Sequence, residues 1–310
     1  MKKRAILWTL LIGILVAAPL AADPLRVGNN DGAVLYLSLA PELTYSDTTT
    51  FRGLSATPFP EEALVTSEPS PEPQIAFVLA SYPPDAKPEL SVVSYGIRYS
   101  PGIRIVRYGI TPNALQMATR DWPLSGEGMM LGSLEKPDTS MVSEIGWMAI
   151  VAEKPGVVEL VPHPDPRMAA RIVSATPPDQ WPLAALGSLG FGEPGYAPIP
   201  VRPGPRLGAT CVHDTLCYAL TEEEVAYYRE RWEGETEPFF LGEGVSCSRG
   251  APCTPMAASG ACCLPDGSCV FQTRRECVEE GGIYVGDDTT CDSAPCEEAT
   301  ESEKQEEGKP

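Results

Sequence analysis

Short segments in which apolar and polar residues alternate are the main pattern of the first two thirds of the chain. From Val93 to Tyr99 every second residue is apolar, which gives a strand one apolar and one polar face. Pro101 and Gly102 then turn the chain into a second apolar segment, 103–108, and the two segments are predicted to form a hairpin. Further strands are predicted at 33–40, 75–80, 129–131, 145–152, 157–161 and 171–174.

Many short strands separated by Pro and Gly, without long helical periodicity, favour a β-sandwich over an α/β fold. The sandwich domain is assigned to residues 23–193, a length that can build its own core. Within it, residues 51–73 are rich in Pro, Ser, Thr and Glu and are predicted to form a long surface loop. Residues 194–207 are rich in Pro and predict a stiff linker between the sandwich and the C-terminal third of the chain.

All ten cysteines lie after this linker, in two segments that share one pattern. The segments are 208–256, called repeat 1, and 257–296, called repeat 2. When the copies are aligned, Thr210 stands where repeat 2 has Cys262, and Val225 stands where it has Cys277. Two cysteines that are absent together are most simply one bridge, so the comparison predicts a Cys262–Cys277 disulfide.

The pairing of the other eight cysteines stays open from the sequence alone. Four of them lie in repeat 2, where they allow three connectivities. Each repeat is too small for a large core and would depend on its bridges. A threonine followed three residues later by glutamate predicts a helix start at Thr221 and at Thr273, so both repeats are expected to be small α+β units. The eight are Cys211, Cys217, Cys247, Cys253, Cys263, Cys269, Cys291 and Cys296.

The two ends of the chain indicate an exported protein. Residues 1–22 have three basic residues, an apolar stretch and a small-residue end, which is typical of a secretory signal peptide. No later stretch is long and apolar enough to predict a membrane span. Residues 297–310 have six Glu and almost no apolar residue, and they predict a disordered acidic tail. The protein is therefore expected to be secreted, either periplasmic or extracellular, where disulfides persist.

Charge narrows the range of partners. The formal net charge is −19, and removing the three basic residues of the signal peptide makes it −22. Nucleic acid and anionic membrane surfaces are therefore poor partners, because both require basic patches, and neither nucleic-acid binding nor a membrane span is predicted. No Cys-x-x-Cys pair and no regular calcium loop is present, so no metal site and no cofactor is predicted. Whether calcium binds stays open, with Asp287-Asp288 as the candidate pair.

Candidate catalytic residues are few. The chain has two histidines, and His163 lies among prolines in 162–166 while His213 lies in repeat 1; both are interpreted as loop residues. No nucleophile elbow, zinc-protease motif or phosphate-binding loop occurs. Asp121 beside Trp122 is the best candidate for sugar contact, because a pyranose is bound by an aromatic face and a carboxylate; Trp181 is a second candidate. A buried tryptophan beside a turn is the competing interpretation of Trp122.

Several stretches together resemble a group of uncharacterised secreted bacterial proteins. In the sandwich region they are 30–32, 94–99, 121–128, 162–164 and 186–196, and the sequence GACCLPDGSC at 260–269 with 281–287 resembles a small GACCxxDGxC-type repeat found in tandem in such proteins. The resemblance implies an Ig-like or cohesin-like sandwich followed by cysteine-rich repeats. It implies no activity.

Taken together, these patterns predict a mainly β protein with a sandwich domain and two small disulfide-rich α+β repeats. The favoured hypothesis is an exported, non-enzymatic module that binds an extracellular protein or glycan, with the repeats as the adhesive unit. Two alternatives stay open. The repeats could inhibit a protease by presenting 264–268 rigidly, or the sandwich could bind or cleave glycans through a pair of carboxylates.

Overall fold

The structure is a computed structural model that describes residues 29–111, 114–133, 136–174, 179–212, 216–232, 238–247, 253, 259–287, 289–292 and 296. The predicted signal peptide, the acidic tail and His213 lie outside the described residues. Among the described helices, none is long and apolar enough to cross a membrane.

Thirteen strands form a sandwich of two sheets, which confirms the predicted fold class. They are β1 Val34–Leu39, β2 Thr66–Ser67, β3 Ser70–Ser81, β4 Val92–Tyr99, β5 Ile103–Ile110, β6 Ala114–Ala118, β7 Gly128–Ser133, β8 Val142–Ala152, β9 Gly156–Val161, β10 Arg171–Val173, β11 Gln180–Pro182, β12 Ala185–Leu186 and β13 Ser188–Phe191. All the strands predicted from alternation are present. The short strands β2, β6, β11, β12 and β13 were not predicted.

Sheet A has the order β12-β1-β3-β8-β5. In sheet B the central strand β4 pairs with β7 along one edge and with β10 and β9 along the other, and β6 extends the sheet beyond β7. Alternate residues of both sheets face each other and form one buried core, with Leu35 and Val78 from sheet A and Tyr95 and Ile97 from sheet B. This burial of apolar area is the main stabilising contribution to the sandwich.

The predicted hairpin of β4 and β5 is wrong. β5 pairs with β8 in sheet A, whereas β4 belongs to sheet B. The turn at Pro101 and Gly102 carries the chain from one sheet to the other, and Gly102 has a positive φ of 93°. Both strands have an apolar face that is buried. The two faces pack into one core from opposite sheets, whereas a hairpin would place them side by side in one sheet.

The segment between β1 and β3 covers the outer face of sheet A, so the expected surface loop at 51–73 needs correction. Phe51 is buried and its ring lies edge-on to Trp147 at 4.9 Å. The Tyr36 hydroxyl donates to the Pro58 carbonyl at 2.5 Å, and Glu144 accepts from the Gly53 amide at 3.0 Å. A 3-10 turn, strand β2 and the start of β3 lie within the same range. The apolar outer face of sheet A is thereby buried.

The Pro-rich segment lies against the sandwich instead of holding the repeats away from it. Tyr196 forms a bridge with Ser188 of β13. The Arg202 guanidinium donates to the Asp31 carbonyl at 3.1 Å and to the Asp85 carboxylate at 3.0 Å. The segment that its prolines predict to be stiff thus runs along the surface of the sandwich. The domain boundaries at 193 and 208 stay a prediction.

The cysteine-rich part contains two units with the same strand order. Repeat 1 has β14 Gly208–Val212, β15 Leu216–Leu220, α1 Glu222–Arg229 and β16 Phe239–Glu243; repeat 2 has β17 Ser259–Cys263, β18 Cys269–Thr273, α2 Arg274–Glu279 and β19 Ile283–Asp287. In each unit the first strand is central, and the helix lies in sequence between the second and third strands. A capping box starts both helices, formed by Thr221 with Glu224 and by Thr273 with Glu276.

We expect peptide mapping of the oxidised protein to find five bridges. In the structure these are Cys211–Cys253, Cys217–Cys247, Cys262–Cys277, Cys263–Cys296 and Cys269–Cys291. The third is the pair expected from the comparison of the two copies. Digestion under non-reducing conditions followed by mass spectrometry tests all five, and a different partner for Cys262 would contradict the equivalence of the two units.

Candidate interaction site

The outer face of sheet B carries a set of apolar side chains that the core does not use. Because side chains alternate along a strand, the burial of Met129 and Leu131 in the core places Met130 on the outer face. Strand pairing then aligns two rows across β6, β7, β4 and β10. The rows are Met117–Met130–Ser94–Arg171 and Leu115–Gly132–Val92–Val173.

One half of this face is open and apolar. It consists of Val92, Leu115, Met117, Met130 and Val173, which we call the apolar half-face. Leu115 is 54% exposed and Met117 is 49% exposed, and the other three are half-buried. None of the five is charged, although the chain as a whole has a net charge of −19.

Strand β6 also has an unused edge. Its partner is β7, and no other described strand pairs with it. Edge strands usually avoid pairing with other chains by carrying a charged residue or a proline. The sequence of β6, Ala-Leu-Gln-Met-Ala, has neither. The outward-facing backbone donors and acceptors of 114–118 therefore have no strand partner among the described residues, and they lie beside the apolar half-face.

Repeat 1 covers the other half of the face. Arg171, at the end of the first row, is 5% exposed, and its guanidinium forms an ion pair with Glu224 of α1. A second guanidinium nitrogen donates to Glu224 at 2.8 Å and to the Ala219 carbonyl at 2.8 Å. In the same row the Ser94 hydroxyl donates to the Met168 carbonyl at 2.8 Å. The open half-face is therefore continuous with an interface inside the molecule.

Glu224 has two roles in this contact. It accepts the Thr221 amide at 2.9 Å, which caps its own helix, and the Ala170 amide of the sandwich at 3.1 Å. A buried carboxylate is tolerated only where its charge is compensated and its oxygens accept hydrogen bonds, and here the guanidinium of Arg171 and two amides meet that condition. The first turn of α1 is thus joined to the sandwich by Glu224, the residue that completes the capping box of the helix.

Apolar and aromatic packing completes the contact. Ala169 of the sandwich lies in one buried cluster with Leu220, Val225 and Tyr228 of repeat 1. The Tyr228 hydroxyl donates to the His163 carbonyl, and the Tyr228 ring stacks on Trp232 at 5.4 Å. The orientation of repeat 1 on the sandwich is therefore fixed by directional contacts and by apolar burial.

His163 lies beneath this contact and is buried. Its Nδ1 accepts the Asp165 amide at 3.0 Å. Burial lowers the pKa of His163 below its ordinary value of 6.5, while Asp165 and Glu127 act in the opposite direction. The neutral ring is thus favoured in the folded state, in keeping with its interpretation as a loop residue.

The lowered pKa predicts a pH dependence of stability. Unfolded His163 takes up a proton as pH falls through 6.5, whereas the folded ring stays neutral until a lower pH, so acidification destabilises the fold. The slope from one such group reaches at most about 1.4 kcal/mol per pH unit. Urea denaturation at pH 7, 6 and 5 should show a smaller loss for His163→Gln than for the wild type. Equal losses in the two proteins would contradict the assignment.

The three residues predicted to contact a sugar do not form one surface. Trp122 is 8% exposed, and its ring packs edge-on against Tyr95 at 5.9 Å and Tyr108 at 6.0 Å. Its faces therefore leave no room for a pyranose. Asp121 is exposed in the loop before β7, and Trp181 is half-buried on β11 opposite Ile172.

The repeat 2 loop proposed for protease inhibition is a closed turn. The Leu264 amide donates to the Ser268 carbonyl at 2.8 Å, and the Gly267 amide donates to the Leu264 carbonyl at 2.9 Å. Asp266 accepts from the Ser268 amide at 2.9 Å. Within the described residues, no three His, Cys, Asp or Glu side chains are grouped as a metal site.

Sequence inspection missed the apolar half-face and the Arg171–Glu224 pair. The strand at 129–131 is predicted from the sequence, but the outer face is completed by Leu115 and Met117 of β6, whose pattern is only five residues long. Arg171 and Glu224 are 53 residues apart, and no local pattern joins them. The capping box at Thr221 indicates only the helical role of Glu224.

Comparison with known proteins gives a likeness of fold alone. No protein-family model and no curated protein matches the chain. Solved structures similar to it include the cohesin module of a Clostridium perfringens family 33 glycoside hydrolase, 11% identical over 41% of this chain and 88% of that chain, with a TM-score of 0.32. A type II cohesin domain from the Acetivibrio cellulolyticus cellulosome is 8% identical over 51% and 95%, with a TM-score of 0.32. A non-cellulosomal cohesin of Archaeoglobus fulgidus is 7% identical over 41% and 85%, with a TM-score of 0.27. At these TM-scores the likeness carries no conclusion about a partner.

Proposed function

We propose that the protein is an exported, non-enzymatic interaction module that binds a partner protein through the apolar half-face of sheet B. The observation that carries the proposal is the set of five uncharged apolar side chains on the outside of a strongly acidic protein. Isolated exposed apolar residues are common, but a contiguous patch on a rigid sheet marks an interaction site.

The accessible edge of β6 favours a partner that contributes an extended segment. A strand added to this edge would satisfy the outward-facing backbone groups of 114–118 and place its alternate side chains beside Leu115 and Met117 on the same face of the sheet. The docked repeat 1 borders the site and keeps its shape fixed, which lowers the entropy lost on binding. The partner surface is accordingly apolar.

The test is a capture experiment with matched point variants. Mature protein, residues 23–310, is immobilised in its oxidised form and exposed to solubilised envelope and secreted fractions of its own source. Met117→Asp introduces a charge into the apolar half-face. Leu124→Asp introduces the same charge at another exposed apolar residue, 57% exposed, in the loop before β7.

We expect a partner that the wild type and Leu124→Asp retain and that Met117→Asp loses, with binding at least about tenfold weaker, or 1.4 kcal/mol. Equal disulfide content and unfolding curves of the two variants would establish that both are folded. Retention of the same partner by Met117→Asp would overturn the proposal. Glycans retained in place of a protein would favour the glycan alternative.

A further inference from the structure

Repeat 2 has an exposed surface at the positions that repeat 1 uses for docking. The units share strand order, capping boxes and the placement of two bridges, so positions can be matched. Ala209 pairs with Ala219 in repeat 1 as Ala261 pairs with Phe271 in repeat 2. In repeat 1 the docking groups are the carboxylate of Glu224 and the carbonyl of Ala219, and both accept from Arg171. Their counterparts in repeat 2 are Glu276 and Phe271.

Both counterparts are exposed. Phe271 is 60% exposed, a larger fraction than any other large apolar residue in the described part of the chain. Glu276 is exposed, and it accepts the Thr273 amide at 2.9 Å and the Thr273 hydroxyl at 2.7 Å. These bonds lower the pKa of Glu276, so the carboxylate is charged at neutral pH. The two positions that match the docking positions of repeat 1 are thus both open to solvent in repeat 2.

The charges around this surface favour a cationic ligand. Glu279 and Glu280 are also exposed on or next to α2. The two nearby arginines have contacts within the chain, because Arg274 lies over the Tyr284 ring at 4.9 Å and Arg275 over the Phe239 ring of repeat 1 at 5.9 Å. Glu276, Glu279 and Glu280 are therefore the exposed charged residues of 270–280, whereas Arg274 and Arg275 are half-buried.

We infer that Phe271, Glu276 and the outer edge of β18 bind an arginine on an extended segment of another protein, as repeat 1 binds Arg171. A guanidinium suits the site because it pairs with a carboxylate through two parallel hydrogen bonds and stacks on an aromatic face. The Arg171 of a second copy does not supply the residue, since it is buried against its own Glu224. This surface is separate from the apolar half-face.

The probe is a peptide copied from the docked segment itself. The acetylated and amidated pentapeptide Ala-Ala-Arg-Ile-Val, the sequence of 169–173, is titrated into ¹⁵N-labelled mature protein. The control peptide has citrulline in place of arginine, which keeps the shape and removes the charge. We expect the arginine peptide to shift amide resonances within 270–280 and the citrulline peptide to bind about tenfold more weakly.

Variants of the full chain distinguish the proposed contact at Glu276 from a general attraction between the cationic peptide and the acidic protein. Glu276→Gln keeps the helix cap, because glutamine also serves in a capping box, and it should weaken binding about tenfold. Glu279→Gln removes the same charge from the same helix and should leave binding within about twofold. Met117→Asp should leave it unchanged, which distinguishes this inference from the proposed function. Absence of shifts within 270–280, or equal binding by the two glutamine variants, would overturn the inference.

Discussion

Replacing Glu224 with glutamine is expected to destabilise the contact between repeat 1 and the sandwich by about 3 to 5 kcal/mol, because it leaves the Arg171 guanidinium buried without a counter-charge. Arg171 is 5% exposed, and its guanidinium also donates to the Ala219 carbonyl at 2.8 Å. Glutamine preserves the helix cap, so the effect reports on the ion pair. Urea denaturation measures the change in the free energy of unfolding, and hydrogen exchange of 208–232 measures the loss of docking.

Two controls make this result interpretable. The double variant R171M/E224Q removes both charges, keeps a side-chain acceptor at the helix cap and should recover most of the lost stability, since removing both charges of a buried ion pair often costs little. Glu159→Gln removes one partner of the half-exposed Arg98–Glu159 pair and should cost less than about 1 kcal/mol. A change below about 1 kcal/mol for Glu224→Gln as well would show that the docked arrangement does not depend on the ion pair.

The second large effect is expected in repeat 2, where Cys262→Thr with Cys277→Val gives the residues that repeat 1 has at Thr210 and Val225. The bridge closes a sequence separation of 15 residues, and a loop of this length corresponds to about 3 kcal/mol in the chain-entropy account. Repeat 1 lacks this bridge, and its helix α1 is held instead by packing on the sandwich, where Val225 lies in one buried cluster with Ala169. Helix α2 packs on the strands of its own unit. Hydrogen exchange of 259–287 should therefore rise steeply in the double variant.

The reciprocal change provides the control. Thr210 and Val225 are both buried, and the Thr210 hydroxyl has no hydrogen-bond partner in the described structure. Replacing both with cysteine should give a sixth bridge, detected as a mass lower by about two hydrogens after oxidation. Two free thiols in the folded variant would show that the helices of the two units are placed differently.

The fold was largely predictable from local patterns, and the errors have one physical cause. Alternation at Val93 to Tyr99 identifies a strand and its apolar face, and the turn at Gly102 is expected from residue type. Neither the alternation nor the turn shows which strand pairs with β4. A strand can bury its apolar face equally well against a partner in the opposite sheet, and this is how β4 and β5 are arranged. Pairing is thus a long-range property that a single sequence does not encode locally.

The candidate site was predictable only in part, for a related reason. The prediction that cysteines and capping boxes define two small units depended on spacing, which sequence gives directly. The apolar half-face depends on which residues stay uncovered after repeat 1 has docked, and that depends on Arg171 meeting Glu224. A tryptophan such as Trp122 resembles a ligand-binding residue in sequence, but packing between Tyr95 and Tyr108 makes it part of the core.

The uncovered edge of β6 also affects how the protein behaves in concentrated solution. Two molecules could join edge to edge through 114–118, and nothing in that segment opposes it. At neutral pH the excess of negative charge, −22 after removal of the predicted signal peptide, keeps molecules apart by repulsion. Acidification protonates the carboxylates and weakens that repulsion while leaving the edge unchanged. The negative charge of the chain therefore opposes self-association through β6, and purification at neutral pH and low salt preserves this repulsion.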